Sequence, residues 1–405
     1  MSVNDLKTRK ILALIGACLF QCAMIGILSN SNGVFMAAIR EAEGISMTQV
    51  SANSSIRSVS GALVATACTA LFYKADKKKV MVGAIGVVVL GFLLMLIGTD
   101  NMLWYVAAFC GFPINSIGIL AVPYAMQKWF PDRSGTAAGI AMAFSGIVGA
   151  IFNPVAASLC TSMGWRWAII IFCILTVIFA GMGLFLLFGL GKPPVAQTKE
   201  AAKVETEGVD APIRLRFALV TGMTLFSAAS IMLGYMSIHM EQLGYSLATG
   251  AFVASCIMCG NVSGKLLCGW LSDQVGAWKT MAVSAGATGI GSTVLGLGIG
   301  SESVMYGAAF LFGMAFYALT IAIPKCCGAA YGTQLAKKYT GMHITISTGV
   351  GAVLAFAAGP IFDAVGSFKL IFLIISALCV LAVVSALTME IVSKRAERER
   401  KPVPA

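Results

Sequence analysis

Twelve apolar runs, most of them twenty residues or longer, follow one another along this chain, and that succession decides what it can fold into. A helix that crosses a bilayer needs about 20 mostly apolar residues. The runs lie at 11–33, 48–73, 80–99, 102–128, 135–162, 165–190, 215–240, 247–271, 280–299, 303–327, 340–362 and 367–392, separated by charged or turn-rich breaks. Of the 405 residues 58% are hydrophobic and 11% charged, where a soluble domain carries roughly 25% charged residues. A soluble enzyme, a nucleic-acid binder and a secreted disulfide module are thereby excluded. The expectation is an all-α polytopic membrane protein with twelve transmembrane helices. The first run follows Lys7, Arg9 and Lys10, as a signal peptide would. Its apolar stretch is too long for an h-region and no small-residue cleavage site follows, so it reads as span 1.

The charges then set the topology. Net charge is +11, from 28 basic and 17 acidic residues. The N-terminus, the loops after spans 2, 4, 8 and 10, the central segment and the tail together hold 22 of the basic residues, whereas the opposite side holds only Arg40, Arg166 and Lys369. This bias predicts cytoplasmic termini in a plasma (inner) membrane, and it explains most of the positive charge without a polyanion partner. The polar stretch 191–214, with Pro193 and Pro194, reads as a flexible cytoplasmic linker between an N-terminal six-helix bundle (1–190) and a C-terminal one (215–392), followed by a basic tail (393–405). Most of the 12 cysteines sit singly in apolar runs, where cysteine behaves as a small hydrophobe. Cys256 and Cys259 form a lone CxxC without a second ligand pair, so no metal is expected.

The two halves echo each other. Span 2 ends in Tyr73-Lys74-Ala75-Asp76-Lys77-Lys78-Lys79, and span 8 ends in Gly269-Trp270-Leu271-Ser272-Asp273-Gln274-Val275-Gly276-Ala277-Trp278-Lys279. Spans 4 and 10 carry Pro123 and Pro324, and spans 5 and 11 run from Gly135 to Pro154 and from Gly341 to Pro360. Echoes at matching ranks argue for duplicated bundles around a midplane site. On these residues the chain resembles the major facilitator superfamily over essentially its whole length, with Gly269 to Lys279 similar to that superfamily's loop motif and Asp76 with its lysines a degraded copy. The run Trp129-Phe130-Pro131-Asp132-Arg133-Ser134-Gly135-Thr136-Ala137-Ala138-Gly139-Ile140, with Gly164-Trp165-Arg166, is similar to the oxalate/formate antiporter and monocarboxylate transporter branch.

Three basic residues remain inside spans, Arg57, Lys265 and Lys325, while all 17 acidic residues fall in loops, tails or span ends. A charge at the bilayer centre costs about 3 kcal/mol on insertion scales. Cations kept there without a buried acid await an anion. Lys265 lies eight residues before Asp273, roughly 12 Å along a helix and about twice a lysine's snorkelling reach. Asn261 shares its face one turn away. The resemblance implies that this position of span 8 contacts the substrate carboxylate, usually through arginine; lysine is a point charge and not a fork. Arg57 either lines the outer cavity or reaches interfacial water, and Lys325 reads as snorkelling. Among neutral groups Gln21, Asn30, Asn115, Asn153 and Tyr317 are candidates; the resemblance favours Tyr317 as a substrate contact, although a tyrosine there also serves as core. Asp76 with Lys79, and Asp273 with Lys279, are the gating candidates.

The expected function is a secondary active or exchange transporter of small organic anions. It would work by alternating access, as a monomeric unit in the bilayer, without a cofactor. The resembling oxalate exchangers carry a second basic residue on span 11, where this chain has only His343 and hydroxyl residues, so a monocarboxylate is preferred. The alternative is an exporter of drugs or other amphiphiles, for which Gly146-Ile147-Val148-Gly149 before Asn153-Pro154 is a partial signature. An enzyme is not expected, because no buried acid–base pair or nucleophile triad is present.

Overall fold

A computed structural model describes residues 3–99, 102–111, 115–130, 134–189 and 208–400. The Pro131-Asp132-Arg133 part of the span 4–5 junction and residues 190–207 of the central segment lie outside them. Twelve helical runs follow in order: α1 (3–43), α2 (Met47–Lys74), α3 (77–97), α4 (Met102–Gly111 and Asn115–Trp129), α5 (Ser134–Met163), α6 (Trp165–Phe188), α7 (213–242), α8 (Leu247–Val275), α9 (Ala277–Leu297), α10 (302–331), α11 (334–365) and α12 (Lys369–Arg400). No strand occurs among the described residues. Nine of the runs are long and apolar enough to cross a membrane. Of the other three, α4 is described in two pieces and α10 is broken into short segments.

Several boundaries differ from the hydropathy reading. After a turn at 28–31, α1 resumes as Asn32–Glu43 and stops at Gly44, whose φ of 66° favours glycine. The basic tail continues α12 to Arg400 because Lys394 pairs with Glu390 one turn back (3.0 Å) among good helix formers. Helix starts are fixed by side chains in the first half. Ser46 and Gln49 form a capping box on α2, and the Asp76 carboxylate accepts the Lys79 amide (2.9 Å) at the start of α3.

Among the described residues, α1–α6 with 233–255 and 355–364 form one compact unit; 208–232, 256–354 and 365–400 form a second. In the first, α1 and α6 touch backbone to backbone at Gly16 and Gly183; a Cβ on Gly183 would lie 2.7 Å from the Phe20 amide nitrogen. Phe172 meets Phe35 and Phe152 edge to face, at 5.1 and 5.6 Å. In the second, α8 and α10 are closest at Gly260 and Gly313, whose Cβ positions would fall 1.9 Å from the Phe310 oxygen and 2.1 Å from the Ile257 oxygen. Lipid tails offer no hydrophobic drive to bring helices together, so small residues that permit close backbone packing do this work. Large apolar side chains at Val380, Val384, Leu387 and Ile391 on α12 remain exposed. Their spacing of three and four marks a face that suits lipid.

Candidate functional site

The α8–α10 seam sets the rotation of α8 and so aims its polar stripe. Gly260 and Gly264 face Phe310 and Met314 of α10. Asn261 and Lys265, the next residue in each case, lie on the adjoining stripe one turn apart. Asn261 is buried; its Nδ2 lies 3.9 Å from the Met258 sulfur, and its Oδ1 has no hydrogen-bond partner. Lys265 is half-buried and makes no ion pair or hydrogen bond among the described residues. A buried amide oxygen without a partner costs on the order of 1–3 kcal/mol. Together the two side chains leave an ammonium donor and an amide oxygen without a partner among the described residues, a set that a small anion with a donor group would satisfy.

Lys325 does not snorkel alone. Its Nζ donates to Asp273 Oδ1 at 2.5 Å, joining the ends of α10 and α8. Both partners are well exposed, at 38% and 69%, so the pair stabilises by at most about 1 kcal/mol. Lys279, the neighbour that the sequence motif suggests for Asp273, instead lies 3.7 Å from Glu390 of α12. The Tyr317 side chain is fully buried; its hydroxyl faces Ser272 without reaching hydrogen-bond geometry, so it is directed to the Asp273 end of α8. His343, the residue that span 11 offers in place of a second basic group, is fully buried: the Tyr331 hydroxyl lies 2.9 Å from Nε2 and the Thr221 hydroxyl 3.3 Å from Nδ1, with Phe217 packed at 4.8 Å.

The first unit holds the remaining candidates. Gln21 is buried, its Oε1 has no hydrogen-bond partner, and this oxygen would lie 3.3 Å from a Cβ on Gly118 of α4. Arg57 is buried, donates to Asn32 Oδ1 and lies over the Phe92 ring at 5.3 Å, so it is engaged by α1 and α3. The Asn30 amide donates to the Ser145 oxygen at 2.9 Å, whereas Asn153 is fully buried with neither amide atom hydrogen-bonded. Asn115 begins the second piece of α4, and its side chain lies outside the described residues. The Asp76 carboxylate is occupied as a helix cap and the Lys79 side chain is exposed, so these two serve α3 locally.

Two of these residues share a backbone feature that the sequence does not announce. Gln21 immediately precedes a π-helical segment, Cys22–Ile27 in α1, and Tyr317 immediately precedes another, Ala318–Ala322 in α10. π turns within α-helices concentrate at functional sites.

Residues 18–348 match the Major Facilitator Superfamily. Curated relatives include the probable transporter MCH2 of Saccharomyces cerevisiae, 27% identical over 48% of this chain and 42% of that one. Human monocarboxylate transporter 11 is 26% identical over 42% of this chain and 37% of its own length. The fujikurins efflux protein of Gibberella fujikuroi is 24% identical over 49% and 43%. The chain thus spans less than half the length of these relatives. A crystal structure of a mutant of the nucleoside transporter NupG superposes with a TM-score of 0.72 over 94% of this chain and 99% of that one, at 14% identity, a likeness of fold alone. With the family match covering most of the sequence and the twelve-helix architecture in place, the chain is an integral membrane protein that belongs to the major facilitator superfamily of transporters.

Proposed function

We propose that this protein is a secondary transporter of small organic anions, monocarboxylates foremost, working by alternating access with both termini in the cytoplasm. The observation that carries the reading is Lys265, a half-buried cation on a membrane-spanning helix with no ion pair among the described residues and with the unsatisfied Asn261 amide oxygen beside it. Of the other cations inside spans, Lys325 is neutralised by Asp273 and Arg57 is engaged by Asn32 and Phe92. Lys265 is therefore the one whose charge asks for a substrate. A single central counter-charge suits one carboxylate better than two. Tyr317, next to a π turn and in the same compact unit as Lys265, is proposed to contact the neutral part of the substrate. The two sequence halves, 1–190 and 215–392, are proposed as the bundles that alternate.

The deciding experiment is uptake of labelled lactate, formate and oxalate into proteoliposomes, beside ethidium efflux in the same vesicles. Carboxylate uptake that saturates, with lactate or formate preferred to oxalate, supports the reading. Ethidium efflux without carboxylate uptake would replace it with an amphiphile exporter, the kind of activity that the name of the Gibberella relative describes.

A further inference from the structure

The tip of α11 is fastened to the start of α2 by one carboxylate. Asp363 Oδ1 accepts the Met47 amide at 3.0 Å, and Oδ2 accepts the Thr48 amide at 2.8 Å and the Thr48 hydroxyl at 2.6 Å. The first amides of a helix have no partner within it and carry the positive end of its dipole. Here Ser46 satisfies the Gln49 amide, while Met47 and Thr48 depend on a residue more than 300 positions away. The helices also touch closely. A Cβ on Gly359, one turn before Asp363, would lie 1.9 Å from Ser51 Oγ and 2.5 Å from the Met47 oxygen. Close by, the Tyr235 hydroxyl donates to the Ala355 oxygen at 3.1 Å, and Arg40 stacks over Phe362 at 5.4 Å. All of these residues belong to the first compact unit, which takes up 233–255 and 355–364 from the second sequence half.

We propose that Asp363 is a latch that holds this end of the molecule closed, and that opening toward the exterior requires its carboxylate to leave the α2 N-terminus. The proposal rests on the alternating-access reading above and on the cytoplasmic placement of the termini. The far end of α1, where α2 begins, is then the outer end. The chemistry suits a reversible catch. The Thr48 amide and hydroxyl are exposed, so water can serve them once the carboxylate leaves, and the buried Met47 amide becomes open to water as the helices part. A carboxylate at a helix N-terminus is also stronger than a neutral acceptor there. Ser51 and Gly359 form the next rung of the same α2–α11 ladder, and Ser55, one turn deeper on α2, is buried.

Ser55→Cys provides the reporter. Intact cells carrying it would be treated with a membrane-impermeant maleimide, and labelling at position 55 would be read by peptide mass spectrometry, which separates it from the native cysteines. Slow labelling is expected in the otherwise unchanged protein, and labelling about tenfold faster when Asp363→Asn is added. Thr48→Ala, which removes only one of the three bonds, should give a smaller rise and covers the case in which Asp363→Asn does not fold. Gly359→Ala, which wedges the ladder apart, should also speed labelling. Equal rates in the reporter alone, in Asp363→Asn and in Thr48→Ala would overturn the latch, as would rapid labelling of the reporter alone. No substrate enters this measurement, so failure of the carboxylate reading would leave its result standing.

Discussion

An ammonium held half-buried on α8 with no carboxylate in reach keeps its charge at a cost, and a bound anion is what offsets it. Removing that charge while keeping length and polarity is the direct test. Lys265→Gln should raise the apparent KM for the carboxylate about tenfold to a hundredfold, because a charge-assisted hydrogen bond contributes about 1.5–3 kcal/mol. Lys265→Arg should retain transport with altered selectivity, since the fork grips a carboxylate at two points. Protein yield should change little in either, as Lys265 makes no ion pair or hydrogen bond among the described residues. Wild-type kinetics in Lys265→Gln at matched expression would move the site elsewhere. At this scale the sequence was informative where chemistry repeats with helical period. Asn261 and Lys265 share a face because they are four apart, and counting charges against spans isolated the lysine. Pairings across helices were not legible. Lys325 meets Asp273 across 52 positions and Arg57 meets Asn32 across 25, and no local pattern encodes either. The motif around Asp273 pointed instead to Lys279, which the fold commits to Glu390.

Between neighbouring helices the seam of α8 and α10 is one of the tight contacts, and it gives a second test. Gly313→Ala would place a methyl 2.1 Å from a backbone oxygen, so the helices must separate. A loss of about 1–3 kcal/mol should appear as a lowered melting temperature in detergent, and transport should fall as Asn261 and Lys265 lose their bearing. Breaking the Asp273–Lys325 pair should do much less: a double-mutant cycle with Asp273→Asn and Lys325→Met should yield a coupling of about 1 kcal/mol or below, given the exposure of both groups. The existence and order of all twelve helices could be read from hydropathy, since burial in lipid forces long apolar runs. Their interruptions could not. Cys22-Ala23-Met24-Ile25-Gly26-Ile27 has nothing in its composition to distinguish a π segment from an ordinary turn, whereas the break between α10 and α11 at Gly332 (φ 74°) falls in the gap left between runs 303–327 and 340–362.

For the molecule as a whole, the distribution of titratable groups bears on what drives transport. In the sequence all 17 acidic residues fall in loops, tails or span ends, and Asn261, one turn before Lys265, is a neutral amide. Both ring nitrogens of His343 lie within reach of hydroxyls, those of Tyr331 and Thr221. Loading proteoliposomes with a counter-anion should therefore drive uptake more than an inward proton gradient does; a strong proton-driven overshoot without internal anion would sink this expectation. The duplication of six helices was legible because Asp76 and Asp273, and the prolines of spans 4, 5, 10 and 11, recur at matching ranks. The grouping of helices into compact units was not, because it depends on which tips touch. Residues 355–364 join the α1–α6 unit through Asp363 and Gly359, and 233–255 through the Leu233 oxygen beside Gly33, rather than through chain connection. A chain severed between residues 190 and 207 should accordingly still assemble. The two fragments, synthesised separately in the same cell, would find each other by these tips and co-purify. Covalent continuity then matters for biogenesis, by delivering both halves to one patch of membrane in equal number, more than for cohesion of the finished protein.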